Sequence, residues 1–406
     1  MNKQATPPQS FYPPSRRLMG PGPTDISPRV LAAMSRPTLG HLDPDFIDMT
    51  EDLKQMLQQA FKTENSYTIP LSSPASAAME AAIINILEPG EKIIVCRNGV
   101  FGMRMSDIIE RAGGEVVAVD DEWGKTIDLQ KVEDAIKQHP DAIALAFVYA
   151  ETSTGVRSDA AALAKMARTA DMLSIVDCVT ALGGIDLRVD EWGLDLVYSG
   201  SQKCLAAPPG LAPMTINERA LKKIASRSTK VQSWFLDFNL LGGYFQGSDA
   251  NKGGSKKRAY HHTAPINSLY ALHESLVVLL EEGLDASFKR HQLMHLALEA
   301  GLSAMGIELT VDKEWRLPQL NSVGLPDSVD DAAVRSHLLK EHSLEIGAGL
   351  GASAGKIWRI GLMGYGARQE NVFHCLTALE DALANQGFVL TAGKALPAAR
   401  KVLTNK

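Results

Sequence analysis

From Leu71 onward the chain alternates between two kinds of hydrophobic pattern. Spans such as ASAAMEAAIINIL, FGMRMSDIIERAGG, KVEDAIKQH and SDAAALAKMARTA repeat apolar residues every three or four positions and predict helices. Between them, EKIIVC, EVVAVD, AIALAFVYA, MLSIVDCV and LDLVYSG are short and rich in apolar residues, most of them almost without break. Such runs between amphipathic helices predict parallel strands covered on both faces, and hence a doubly wound, mostly parallel α/β sheet.

The pattern changes at both ends. Six prolines by Pro23 rule out a regular helix, so residues 1 to 25 read as an extended arm. A helix is expected next, with Ser27 as its cap and Pro28 in its first turn. Past the sheet, SDANKGGSKKRAYHHTAP reads as a long polar loop, and INSLYALHESLVVLLEEGLDASFKRHQLMHLALEAGLSAMG as a helical stretch. A smaller α+β unit follows, with strands QLNSVGL and KIWRIGLMG and helices DAAVRSHLLKEH and QENVFHCLTALEDALANQG. The expected division is an arm at 1–25, a large unit at 26–270 and a small unit at 271–406.

Composition narrows the function. The 406 residues carry a net charge of −6, so no basic footprint points to nucleic acid or an anionic membrane, and small molecules are the expected partners. Cys96, Cys178, Cys204 and Cys375 are far apart and form no CxxC pair or Cys/His set with metal spacing, so neither a metal nor a disulfide framework is expected. No run reaches transmembrane length and the Pro-rich start lacks the apolar core of a signal peptide, which predicts a cytoplasmic protein.

Two residues stand out chemically. Asp177 ends the run LSIVD and Lys203 follows LVYSGSQ, so both fall near the carboxyl ends of predicted parallel strands, where open α/β sheets bind ligands. Taken singly, Asp177 could be a capping residue and Lys203 a surface lysine. Together they are what pyridoxal 5′-phosphate requires: an amine to bond its aldehyde and a carboxylate to hold its pyridine nitrogen protonated.

The ordered segments MGPGPTDISPRVLAAM, AMEAAIINILEPGEKIIVCRNGVFGMR, AETSTG, VDCVTALGG, SGSQKCLAAPPG, YHHTAPINSLYAL and GKIWRIGLMG resemble the class V aminotransferases of pyridoxal-phosphate fold type I. Within that family they are nearest to the alanine–glyoxylate and serine–pyruvate branch. The resemblance makes Lys203 the Schiff-base lysine and Asp177 the partner of the pyridine nitrogen. It puts Phe101 on the cofactor's ring face, where a tryptophan is usual, with Val179 on the opposite face and Thr152 near the ring oxygen. Pro74, Ala75 and Ser76 fall on the phosphate turn, with Gln202 nearby. Here the chain departs from its relatives, which carry glycine at Ala75 and a donor at Pro74, and proline has no N–H to give.

The remaining positions concern the substrate and a second chain. Arg359 sits in the otherwise apolar KIWRIG, where an unpaired charge is costly unless a ligand carboxylate meets it. The resemblance assigns it the substrate's α-carboxylate, and it places Gly22 and His41 beside the substrate. Tyr260 and Thr263 match residues that reach the phosphate from a partner subunit, implying a homodimer with shared sites. The two histidines of YHHT, read as a strand, would point to opposite faces. The implied activity is ping-pong amino transfer from alanine or serine to glyoxylate or pyruvate.

Several alternatives stand beside this reading. KIWRIGLMGYGARQENV and GKALPAARKVL resemble the ureidoglycine–glyoxylate branch, although that branch is expected to carry Asn at Tyr260 and Gln at His41. The pyridoxamine–pyruvate branch also alters the phosphate turn. Cysteine desulfurase chemistry lacks its loop cysteine, since none lies between Cys204 and Cys375. A nucleotide-binding oxidoreductase would carry GxGxxG after its first strand, and a regulatory pyridoxal-phosphate binder a basic helical module; neither feature is visible.

Overall fold

A computed structural model describes residues 8–246 and 258–404. Its centre is a seven-stranded sheet in the spatial order Tyr67–Leu71, Ala212–Ile216, Leu196–Tyr198, Leu173–Asp177, Ala144–Val148, Lys92–Arg97, Glu115–Asp120. Every pairing is parallel except the two that Ala212–Ile216 makes with its neighbours. The apolar runs are buried throughout in Ala144–Val148, Leu173–Asp177 and Leu196–Tyr198, as strands covered by helices on both faces should be.

The expected helices are present as Ala75–Ile86, Val100–Arg111, Leu129–Gln138 and Ala160–Thr169. The first helix, Pro28–Met34, is capped by Ser27, whose hydroxyl accepts from the Val30 N–H. The long helical stretch is two helices, Ile266–Glu282 and Leu284–Ala304, broken at Gly283, whose φ of 85° suits a residue without a Cβ. Two strands of the seven-stranded sheet were not expected: Tyr67–Leu71, just before the anticipated start of the alternation, and Ala212–Ile216, the reversed strand.

The small unit has a three-stranded sheet in which Ile357–Gly361 lies between Leu320–Gly324 and Gly347–Ala348. Helices Asp331–Glu341 and Gln369–Asn385 pack on it. Two hydrophobic cores follow this division. Of the two long helices, Ile266–Glu282 gives Leu269, Leu272, Leu276 and Leu279 to the large core, and Leu284–Ala304 gives Met294, Ala297, Leu298 and Leu302 to the small one. Part of the expected polar loop lies outside the described residues; 258–265 have no regular structure.

The described part of the N-terminal arm is tied to the small unit. Arg17–Leu18 pairs in parallel with Leu344–Glu345, the Met19 side chain is fully buried in the small core, and the Gly361 N–H donates to Met19 O at 2.7 Å. This anchoring carries Pro21 and Gly22 up to Lys203. Contact there is close: a Cβ on Gly361 would overlap the Gly20 carbonyl oxygen. Gly361→Ala should therefore cost about 1–3 kcal/mol, the range for overpacking a filled site. Chemical denaturation followed by circular dichroism measures this; an unchanged midpoint would show that Gly20 withdraws freely.

Candidate active site

The sheet register sets up the site. Asp177 and Tyr198 are direct partners on adjacent parallel strands, so their side chains leave the sheet on the same face. The Tyr198 hydroxyl donates to Asp177 Oδ2 at 3.1 Å and the Val179 N–H to Oδ1 at 2.9 Å. Burial dominates all the same and pushes the Asp177 carboxyl up to about 7, with the Val179 N–H opposing and the nearby Glu151 adding to the rise. The carboxylate has donors, and the Lys203 charge acts on it favourably, but it has no ion-pair partner among the described residues. A ring N–H⁺ would supply the missing positive charge.

Lys203 follows the next strand and turns inward. It is 8% exposed, and its amine donates to the Pro21 carbonyl. Burial lowers its pKa from the ordinary 10.5 to about 8, and the positive charge of Arg359 contributes in the same direction. A substantial neutral fraction is what a lysine needs to act as nucleophile or base. Gly22 is required beside it, because a Cβ there would lie 2.6 Å from Lys203 Nζ and φ is +105°.

Arg359 is 6% exposed in the central strand of the small sheet. Its guanidinium donates to Ala348 O at 2.7 Å and Thr152 O at 3.2 Å, and no carboxylate lies within 4 Å of it among the described residues. Burial lowers its pKa to about 10, which Glu151 partly opposes. A buried guanidinium whose recorded partners are carbonyls retains donors for a ligand carboxylate.

The other expected residues gather around these three. Thr152 Oγ1 lies 2.5 Å from Thr180 Oγ1. Gly200 is the point at which the phosphate-turn candidates meet: a Cβ there would lie 3.0 Å from Gln202 Oε1, 3.2 Å from the Ala75 Cβ and 3.3 Å from Val179 Cγ1. Gln202 Oε1 is buried with no partner. Turning that amide over puts its NH₂ group there instead, as a donor to an anion. Pro74 caps Ala75–Ile86 without a side-chain hydrogen bond, and Ser76 sits in that helix's first turn. Phe101 is half-buried at the start of Val100–Arg111, with its N–H 3.2 Å from Glu151 Oε2.

The structure separates three expected residues from this cluster. Tyr260 is 66% exposed, Thr263 is exposed, and His41 contacts Tyr260 with ring centroids 5.4 Å apart. Nor do His261 and His262 point to opposite faces, because 258–265 is not a strand. Their Nδ1 atoms lie 2.8 Å apart, and both rings enter one aromatic cluster with Phe235 and Tyr244.

Three contributors escaped the sequence reading. Tyr198 was hidden inside an apolar strand. Glu151 is completely buried, and burial raises its carboxyl pKa. It accepts from the Ser153 N–H at 3.0 Å and the Ser153 hydroxyl at 2.5 Å, which fixes the turn under Phe101. The acid in AETSTG, next to a fully apolar run, was the available signal. The third is the Pro21 carbonyl, which no side-chain pattern reveals.

A dry carboxylate with no ion-pair partner among the described residues, a partly neutral buried lysine, a half-buried aromatic and an amide with an unpartnered oxygen beside a helix start form a set that fits pyridoxal phosphate. Fold and site define a pyridoxal-phosphate-dependent transaminase of fold type I. The family model for aminotransferase class-V matches residues 20–372, and the chain belongs to that family. It is 38% identical to (S)-ureidoglycine–glyoxylate transaminase of Bacillus subtilis over 97% of this chain and 96% of that protein. Identity to alanine–glyoxylate aminotransferase of Callithrix jacchus is 39%, over 91% and 88%. Among solved structures, alanine–glyoxylate aminotransferase from Nostoc sp. aligns with a TM-score of 0.90 at 43% identity, covering 94% of this chain and 99% of that one. Ureidoglycine–glyoxylate aminotransferase from B. subtilis aligns with a TM-score of 0.94 at 38% identity, covering 98% and 100%. No helix among the described residues is long and apolar enough to cross a membrane.

The depressed Lys203 pKa has a consequence for stability. Below pH 8 the cofactor-free protein carries a buried charge that the unfolded chain holds in water, so Lys203 destabilises the fold by its full amount. Between pH 8 and 10.5 the folded amine is neutral while the unfolded one still binds a proton, and the penalty fades. Cofactor-free Lys203→Met should thus melt higher than the parent at pH 7, with the gap closing by about pH 10.5. Calorimetry across that range decides; a pH-independent gap would show that Lys203 is not desolvated.

Proposed function

We propose that the protein transfers the amino group of a small amino acid, alanine or serine, to glyoxylate or pyruvate. The observation that carries this reading is the Arg359 guanidinium, buried without a carboxylate partner among the described residues and held near Lys203 by the Thr152 carbonyl. It suits one α-carboxylate at a time, so donor and acceptor use the same anchor in turn and the transfer is ping-pong.

Each residue has a physical task. Arg359 orients the substrate by two parallel hydrogen bonds to its carboxylate. Lys203, partly neutral near pH 8, takes the proton from the donor's α-carbon and returns one during the acceptor's half of the cycle. Pyridoxal phosphate, when bound, supplies the electron sink for the pair left by that proton. Asp177, oriented by the Tyr198 hydroxyl and the Val179 N–H, would accept the ring N–H⁺, and Phe101 and Val179 would hold the ring. Gly22 leaves room for the Lys203 side chain itself to reach the site. The exposed Tyr260 and Thr263 complete the phosphate site of a second chain, which makes the protein a homodimer.

The His41–Tyr260 contact favours the alanine–glyoxylate assignment. The ureidoglycine–glyoxylate branch is expected to carry Gln and Asn at these positions, and the two rings sit together at one surface. What favours ureidoglycine as donor instead is extent: that relative matches 97% of the chain, against 91% for the alanine–glyoxylate one.

A donor panel tests the choice. With glyoxylate as acceptor, L-alanine and L-serine should support turnover at least about tenfold better in kcat/KM than glutamate, as expected if Arg359 anchors the α-carboxylate alone and nothing meets a distal one; such a gap corresponds to ~1.4 kcal/mol. Turnover with ureidoglycine and none with alanine would overturn the assignment. The shared site has its own test: Lys203→Ala mixed with Tyr260→Phe/Thr263→Ala should regain activity that neither possesses alone, and no recovery would mean self-contained sites.

A further inference from the structure

The phosphate turn is short of donors, and a residue outside it is placed to make up the deficit. We propose that Arg104 is the cationic partner of the cofactor's phosphate, reaching it together with Ser76. The inference rests on the pyridoxal-phosphate reading above.

A phosphate dianion held at a helix start normally takes several backbone N–H groups. Pro74, the cap residue of Ala75–Ile86, has none, and the Ala77 and Ala78 N–H groups are already committed to Pro74 O at 2.9 and 3.3 Å. That leaves the Ala75 and Ser76 N–H groups, the Ser76 hydroxyl and the Gln202 amide. All of these are neutral, and the family's usual cap donor is missing.

Arg104 lies on a different helix, Val100–Arg111, one turn beyond Phe101, so the two side chains share a face. Its guanidinium stacks over the Phe101 ring at 4.8 Å, and Nη1 donates to Ser76 Oγ at 3.0 Å. Among the described residues no carboxylate pairs with it, whereas Arg97 and Arg111 on either side are bound to Asp120 and Asp107. Its charge is also felt by Tyr198, the hydrogen-bond partner of Asp177, so Arg104 belongs to the electrostatic surroundings of the site.

The geometry gives a two-part grip. Ser76 Oγ accepts from Arg104, which frees the hydroxyl proton to donate to a phosphate oxygen. The guanidinium keeps further N–H groups for a second oxygen, and a donor that carries charge is stronger than the neutral one lost at Pro74. The stack on Phe101 ties the cation to the residue expected against the ring, so one helix terminus would hold both ends of the cofactor.

Equilibrium binding of pyridoxal phosphate and of phosphate-free pyridoxal to the cofactor-free protein, followed by absorbance, separates this role from a structural one. Arg104→Gln should weaken pyridoxal phosphate by about 10- to 100-fold, the range for losing a hydrogen bond to a charged group, and leave pyridoxal within about twofold. Arg104→Lys should recover part of the loss, and Ser76→Ala should cost less in the Arg104→Gln background than in the parent, because the two act through one contact. Equal weakening of both compounds would overturn the inference, since Arg104 would then only position Phe101; so would unchanged affinity for the phosphorylated form. If the parent binds pyridoxal phosphate no better than pyridoxal, there is no phosphate site and the inference falls. If the parent binds neither compound, the cofactor reading itself falls. The thermal midpoint of each cofactor-free variant shows whether it is folded.

Discussion

The site depends on keeping an amine and a carboxylate dry at one end of a parallel sheet. Both charged forms are destabilised there, which draws the Asp177 and Lys203 pKa values towards neutrality from opposite sides, to about 7 and about 8. A fold tolerates such groups only if everything around them is fixed, because shifting chain or admitted water would return them to ordinary values. The strand register that pairs Asp177 with Tyr198, the Glu151 carboxyl locked under the 151–155 turn and the glycines at 22 and 200 are the fixtures.

Closure of the site comes from elsewhere in the chain. Arg359 belongs to the small unit's sheet yet hydrogen-bonds to Thr152 of the large unit, and the N-terminal segment crosses from small-unit strands to the Lys203 amine. Substrate anchor, lysine and cofactor seat therefore come from three separate parts of the chain. Their mutual position depends on contacts such as Gly361 N–H to Met19 O rather than on any one element.

Much of the α/β pattern was legible because strands covered on both faces need unbroken apolar runs, and helices between them need one apolar stripe. The two missed strands have a specific reason. YTIPL and APMTI each contain a proline, which counts against a strand interior. Pro70 and Pro213 are direct partners across that antiparallel pair, so proline faces proline across the same rung of the ladder. The helix Pro44–Phe61 was not expected either, although Asp43 as cap, Pro44 in the first turn and the apolar spacing of Phe46, Leu53 and Leu57 were its local signals.

The sequence by itself determined the fold class, the family and which side chains have unusual chemistry, because each is written in local order: the apolar runs, the lysine after LVYSGSQ, the arginine inside KIWRIG. Only the tertiary structure decided which of them meet. It brought Pro21, 182 residues away in sequence, to the Lys203 amine, set Tyr198 beside Asp177 and put Arg104 on Ser76, while leaving Tyr260 and Thr263 exposed on the surface. Those meetings are set by strand register and by the close approach of glycine backbones, and neither leaves a mark in the local order of residues.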